Sequence, residues 1–147
     1  MYSDDLFWDI RDKCDGIVKG NHEDTVERHG DCPVYDLICD KLEVPKLGVS
    51  GGLYYMFRRG RGGTRALPIF LHHGTGGAKN EKNATASVVQ CLLEWTNARV
   101  AAMGHIHIGG VQEVRKDYIT PEGITFKKCL AVRVGTYALP RVNDGKV

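Results

Sequence analysis

The sequence predicts a single domain of the α/β class. Two observations carry this: short apolar runs of strand length alternate with stretches of helical periodicity, and three of the runs stop at polar clusters rich in histidine, asparagine and glycine. A third concerns size. A chain of 147 residues, 42% of them apolar, buries one ordinary core and gives no reason for a second, so residues 1–147 are read as one domain.

The elements follow in order. Leu6, Phe7 and Ile10, with charges between them, predict a short amphipathic helix, and the apolar run Gly16-Ile17-Val18 predicts a buried strand ending at Gly20-Asn21-His22-Glu23. Pro33 suits a first helical turn after Asp31, and Val34, Leu37, Ile38 and Leu42 then share one face of a helix that stops before Pro45. Residues 53–57 and 66–71 read as extended, and the glycine-rich stretch between them predicts a hairpin whose second strand runs into His72. Residues 83–95 give the clearest helix, because Ala84, Val88, Leu92 and Trp95 recur at spacings of four, four and three. Residues 100–103 predict a short buried strand stopping at Gly104-His105-Ile106-His107. Residues 111–137 predict two or three more strands, with Thr120-Pro121-Glu122-Gly123 as a turn, so the sheet is expected to be partly antiparallel near its C-terminal end.

A net charge of +2 is compatible with a phosphate-bearing partner without requiring one. Cys14, Cys32, Cys39, Cys91 and Cys129 form an odd set with no Cys-x-x-Cys pair, which argues against a disulfide framework or zinc knuckle and for a reducing compartment. The opening residues lack the basic and apolar regions of a secretion signal, and no run approaches membrane-spanning length. A soluble, cytoplasmic protein with no membrane partner is the expectation.

Five of the six histidines fall within the strand-terminal clusters, and only His29 lies outside. In open α/β sheets ligands collect beyond the carboxyl ends of strands, so clusters distant in sequence can converge on one site. Residues 74–79 are glycine-rich but lack Gly-Lys-Ser/Thr, which excludes a nucleotide phosphate loop. Arg58, Arg59, Arg61 and Arg65 crowd the predicted hairpin tip, where they read either as solubilising charge or as contacts for an anionic substrate such as a nucleic-acid backbone.

Gly20-Asn21-His22-Glu23, the strand-terminal His72, and Gly104-His105-x-His107, in this order, resemble the last three of the five sequence blocks of calcineurin-like metallophosphoesterases. The phrase from His72 to Asn83 is most similar to phage-type members. The resemblance implies part of a four-layer α/β/β/α sandwich and a site for two divalent cations, manganese, iron or zinc, in which a metal-bound hydroxide attacks a phosphomonoester or phosphodiester. It implies Asn21, His72 and His105 as ligands of the second metal and His107 as a ligand of the first. Residues i and i+2 of extended chain point the same way, which would let His105 and His107 reach two neighbouring ions. His22 resembles the histidine that contacts phosphate and protonates the leaving oxygen, while Glu23 supports the turn or a ligand. Between His72 and His73 the metal role favours His72, which directly follows the apolar run, and leaves His73, with Arg58 and Arg59, as substrate contacts.

The family's first two blocks, Asp-x-His and Gly-Asp-x-x-Asp, do not precede Gly20. Asp4 and Asp5 lack the preceding glycine and lie too close to Asn21 to replace them. The chain is therefore expected to correspond to the C-terminal portion of such a domain, weakly active or inactive by itself, with a missing N-terminal half or a homo-oligomeric copy as partner. The alternative is a non-catalytic interaction module or subunit that retains the fold.

Overall fold

The computed structural model describes residues 7–58, 60, 62–74, 81–94, 97–105 and 108–135. Among them the chain is mixed α/β, with helices α1 (Asn21–Gly30), α2 (Val34–Leu42) and α3 (Glu81–Glu94) and a five-stranded sheet. Strands β1 (Ser50–Arg58) and β2 (Thr64–His72) form the expected antiparallel hairpin, with Ser50 opposite His72 and Arg58 opposite Thr64. Strand β3 (Val100–Met103) runs parallel to β2 on one side and to β5 (Gly123–Arg133) on the other. Strand β4 (Gly110–Thr120) pairs antiparallel with β5 through the predicted turn at Pro121-Glu122, and the sheet order is β1-β2-β3-β5-β4.

Helix α3 covers the β3–β5–β4 part of one face of this sheet, while Tyr54 and Met56 of β1 stay exposed on the same side. Its stripe of Ala84, Val88 and Leu92 is fully buried against Phe70, Ala98, Ala101, Met103, Cys129 and Ala131. Burying each such large aliphatic side chain contributes about 1.5–3 kcal/mol, so this contact is the main source of cohesion. The buried Lys116 donates from Nζ to the Leu92 carbonyl at 2.7 Å, satisfying one of the acceptors that a helix end leaves open. Trp95, expected in the same stripe, lies outside the described residues.

Helices α1 and α2 form a separate unit around Tyr35, Cys39, Leu42 and Val44. Tyr35 Oη donates to the Ile17 carbonyl at 2.9 Å and accepts from the Gly48 amide at 2.8 Å, tying two extended stretches together. The unit meets the sheet on the face opposite α3. There Leu47 packs so closely on Gly51 that a Cβ added at Gly51 would lie 2.8 Å from Leu47 Cβ, and Tyr55 Oη bonds the Asp15 carboxylate.

Several expectations change here. Around Ile17 the predicted strand is an extended segment with a single parallel bridge to Lys46, since no further strand among the described residues pairs with it. Helix α1 was not anticipated. Pro33 is the N-cap of α2 rather than its first turn, and the buried stripe of α2 is Tyr35, Cys39 and Leu42, while Leu37 is 55% exposed. Spacings of four and three from Tyr35 describe the same helix one step round its axis. Near the N-terminus a 3-10 turn at Arg11–Lys13 follows a brief helical stretch at Phe7 and Trp8. No helix among the described residues is long and apolar enough to cross a membrane.

Candidate functional site

Parallel pairing brings the carboxyl ends of β2, β3 and β5 to one edge of the sheet, and the start of α1 comes to the same edge. Gly20 is the extended N-cap of α1, and Asn21 is its first residue, with Glu23 and Asp24 in the first turn complementing the helix dipole. The Asn21 amide is one of the donors that a helix start leaves without an internal partner. It donates to His73 Nε2 at 3.2 Å, and Asn21 Oδ1 lies 2.9 Å from the same nitrogen. His73 also faces His105, with ring centroids 5.0 Å apart.

The turns around this meeting point are tightly packed. Gly74 adopts φ 107°, and a Cβ there would come 2.7 Å from the Gly104 carbonyl oxygen and 3.0 Å from His105 Cβ, so only glycine fits. His105 itself has φ 60°, a left-handed conformation that a non-glycine residue adopts at a cost of order 1–3 kcal/mol. The expectation that His105 and His107 lie on extended chain therefore fails at His105, while His107 lies outside the described residues.

Adjacent histidines part company. His72, still on β2, stands on the α3 face beside Phe70 and lines a cavity of about 270 Å³ with Ser87, Gln90, Cys91, Glu94 and Met103. Its Nδ1 accepts the Gly74 amide at 2.7 Å, which places its proton on Nε2. His73, one residue on, stands at Asn21 and His105. The preference for His72 over His73 as the partner of Asn21 and His105 is thus reversed by geometry, for the elementary reason that successive side chains of extended chain point to opposite faces.

Burial lowers the His73 pKa below the ordinary imidazole value, and the positive fields of His105, His72 and His22 push the same way against the opposing pull of Glu23. His22 follows Asn21 on the exposed first turn of α1. Arg58 pairs with Thr64 at the opposite end of β2 from His72, and at about 3.3 Å per residue that separation is roughly 26 Å, so Arg58 does not join the site. Arg59 lies outside the described residues.

The donor set bears on what the site can hold. One ring nitrogen cannot both accept the Asn21 N–H and donate to Asn21 Oδ1. The Nε2 lone pair accepts the Asn21 N–H, so a cation shared with Asn21 Oδ1, 2.9 Å away, would take that lone pair in place of the N–H. Asn21 and His73, with the His105 ring facing His73, are donor types that a divalent ion accepts. Among the described residues no three His, Cys, Asp or Glu side chains stand together as a metal-binding group, while the Glu23 carboxylate and the His73 ring share the space beside Gly20.

Sequence reasoning missed the start of α1 at Asn21, although Glu23-Asp24 following Gly20-Asn21 is a legible sign of a helix N-terminus. The chain matches no protein-family model, no curated protein and no solved structure.

Proposed function

We propose that this chain supplies the nitrogen-ligand portion of a two-metal phosphoesterase site of the calcineurin-like type, acting on phosphomonoesters or phosphodiesters, nucleic acid among them. The observation that carries it is the meeting of Asn21, His73 and His105 at the carboxyl edge of β2 and β3, with His22 next to Asn21 on α1. These residues come from, or adjoin, the blocks in which the family resemblance resides, and they assemble although up to 84 positions separate them in the chain.

On this reading Asn21 Oδ1, the His73 imidazole and the His105 imidazole hold one divalent cation, manganese, iron or zinc, and His107 serves a second. His73 takes the ligand role that the sequence favoured for His72. Bound cations supply the charge that neutralises a phosphoryl group under attack and the acidity that activates water. The chain's own residues do the rest. A depressed pKa keeps the His73 lone pair free at neutral pH, the form a ligand needs. On this reading His22, exposed on the first turn of α1, donates a proton to the departing oxygen. Glu23 lies against Gly20 and moderates the cluster's positive field.

Bridging carboxylates come, on the same reading, from polypeptide other than these residues, so the chain tested by itself is inactive or nearly so. The wider architecture is then a four-layer α/β/β/α sandwich. Supporting that, the extended stretches joined at Ile17 and Lys46 lie over the β1 face opposite α3, as the start of a second β layer would.

The second reading is a non-catalytic module that keeps one metal site for docking, and the small neutral donor set of Asn21, His73 and His105 favours it. Hydrolysis of an aryl phosphate with added manganese separates the two. Activity is expected only when a segment bearing Asp-x-His and Gly-Asp-x-x-Asp is joined ahead of the chain, and His22→Ala abolishes it. Inactivity of the joined form selects the module.

A further inference from the structure

The β4–β5 hairpin is closed on one side only. Cys129 and Lys116 engage α3 on one face, with Val114 packed against the same core. On the other face Val111, Ile119, Ile124, Phe126 and Leu130 stand in the open, with exposures of 64%, 91%, 77%, 51% and 41%. Register places all five on that one face: Ile119 is opposite Ile124, Phe126 opposite Asp117, Leu130 opposite Glu113, and Val111 opposite Val132. Strand β3 reaches only Leu130–Arg133 of β5, so beyond Cys129 the hairpin is a two-stranded ribbon. Such a ribbon is marginal in water unless a further surface covers it.

Charge on the open face is already compensated within it. Lys128 pairs with Glu113 at 3.0 Å and Arg115 with Asp117 at 2.7 Å, and the Arg115 guanidinium also lies 4.4 Å from the centre of the Phe126 ring. A face that is apolar and locally neutral meets a copy of itself without juxtaposing unpaired like charges. Area is adequate as well. If each of the five side chains offers about 100 Å², two facing copies bury on the order of 1,000 Å², the threshold for a specific interface.

We propose that two copies of this chain pack the open faces of their β4–β5 hairpins together in an isologous dimer centred on Ile119, Ile124 and Phe126. Sheet-on-sheet packing of this kind needs flat, apolar, interdigitating rows, which the register supplies. The inference does not rest on the phosphoesterase reading, whose second β layer would compete with a second copy for this face.

Sedimentation equilibrium of the full chain at rising micromolar concentration tests it. The expected mass is twice the 16.3 kDa of one chain. The double variant Ile119→Lys/Ile124→Glu, which sets opposite charges across the register, should return the mass to one chain, leave the circular dichroism unchanged and remove the concentration dependence that dimerisation gives the urea midpoint. Val26→Lys, at an exposed position of α1, should leave the dimer intact. A single-chain mass over the whole range, a dimer that the double variant does not dissociate, or an open-ended series of larger species would each overturn the proposal. So would a wild-type monomer that binds the aspartate-bearing segment through this face, since the face would then belong to that polypeptide.

Discussion

The two faces of the sheet are closed to very different degrees. Under α3 lies a continuous core in which Leu92, Val88 and Cys129 are sealed, and His72 belongs to that side. Across the sheet, among the described residues, the α1–α2 unit covers the β1 end through Leu47 and Asp15, and Ile119, Ile124 and Phe126 of the β4–β5 end are exposed. His73 opens toward that unit, through Asn21. One face therefore carries the main core, while the other carries the candidate site and the surface proposed for a second copy. The same separation is visible in a single dipeptide, His72-His73, whose two rings serve opposite sides.

The largest effect should come from the closed face. Leu92→Ala removes a fully buried side chain and should cost about 2–5 kcal/mol in urea denaturation. A loss under about 1 kcal/mol would show that α3 is not the principal clamp. Next in size, Gly74→Ala should cost about 1–3 kcal/mol, because the added Cβ meets Gly104 and His105 at a left-handed φ. Displacement of His105 should weaken metal binding in the same variant.

The adjacent histidines sharpen the contrast. His73→Ala should weaken manganese or zinc binding at least tenfold in calorimetry. His72→Ala should instead lose about 1 kcal/mol of stability with the Gly74 hydrogen bond and leave metal affinity nearly unchanged. The reverse pattern would restore His72 as the ligand.

Acid supplies a smaller test. The folded His73 has a pKa below its unfolded value near 6.5, so as pH falls from 6.5 toward the folded pKa the unfolded chain takes up a proton that the folded chain refuses. Stability should therefore decline through that window, and His73→Gln should flatten the decline in urea midpoints measured across it. Smallest of all, Ile119→Lys/Ile124→Glu, with opposite charges across the register, should change the stability of one chain by no more than about 0.5 kcal/mol, despite altering two large apolar residues.

Much of the closed half was legible in the sequence. The stripe of Ala84, Val88 and Leu92, the hairpin of β1 and β2, the short strand β3 and the turn at Pro121-Glu122 all follow from periodicity and turn chemistry, and all are present. Those signals are local, and α3 packs where its own pattern says it must. The N-terminal unit was less legible. At Ile17 the apolar run promised a strand, but a strand exists only with neighbours, and among the described residues it finds one bridge. At Asn21 the polar cluster that ends an apolar run also begins a helix, and one set of residues carries both signals. Arg58 was grouped with the substrate contacts because arginines crowd a loop, and only strand register showed that loop to lie at the far end of β2.

By itself the sequence determined that strands and helices alternate, that polar clusters terminate three apolar runs, and that Asn21, His22 and the paired histidines are the residues to watch. Tertiary structure alone decided that His73 rather than His72 meets Asn21 and His105, and that one face of the β4–β5 hairpin stays open. Periodicity records which residues share a side of an element. Which side receives a neighbour depends on contacts between segments far apart in the chain, and no local pattern encodes those.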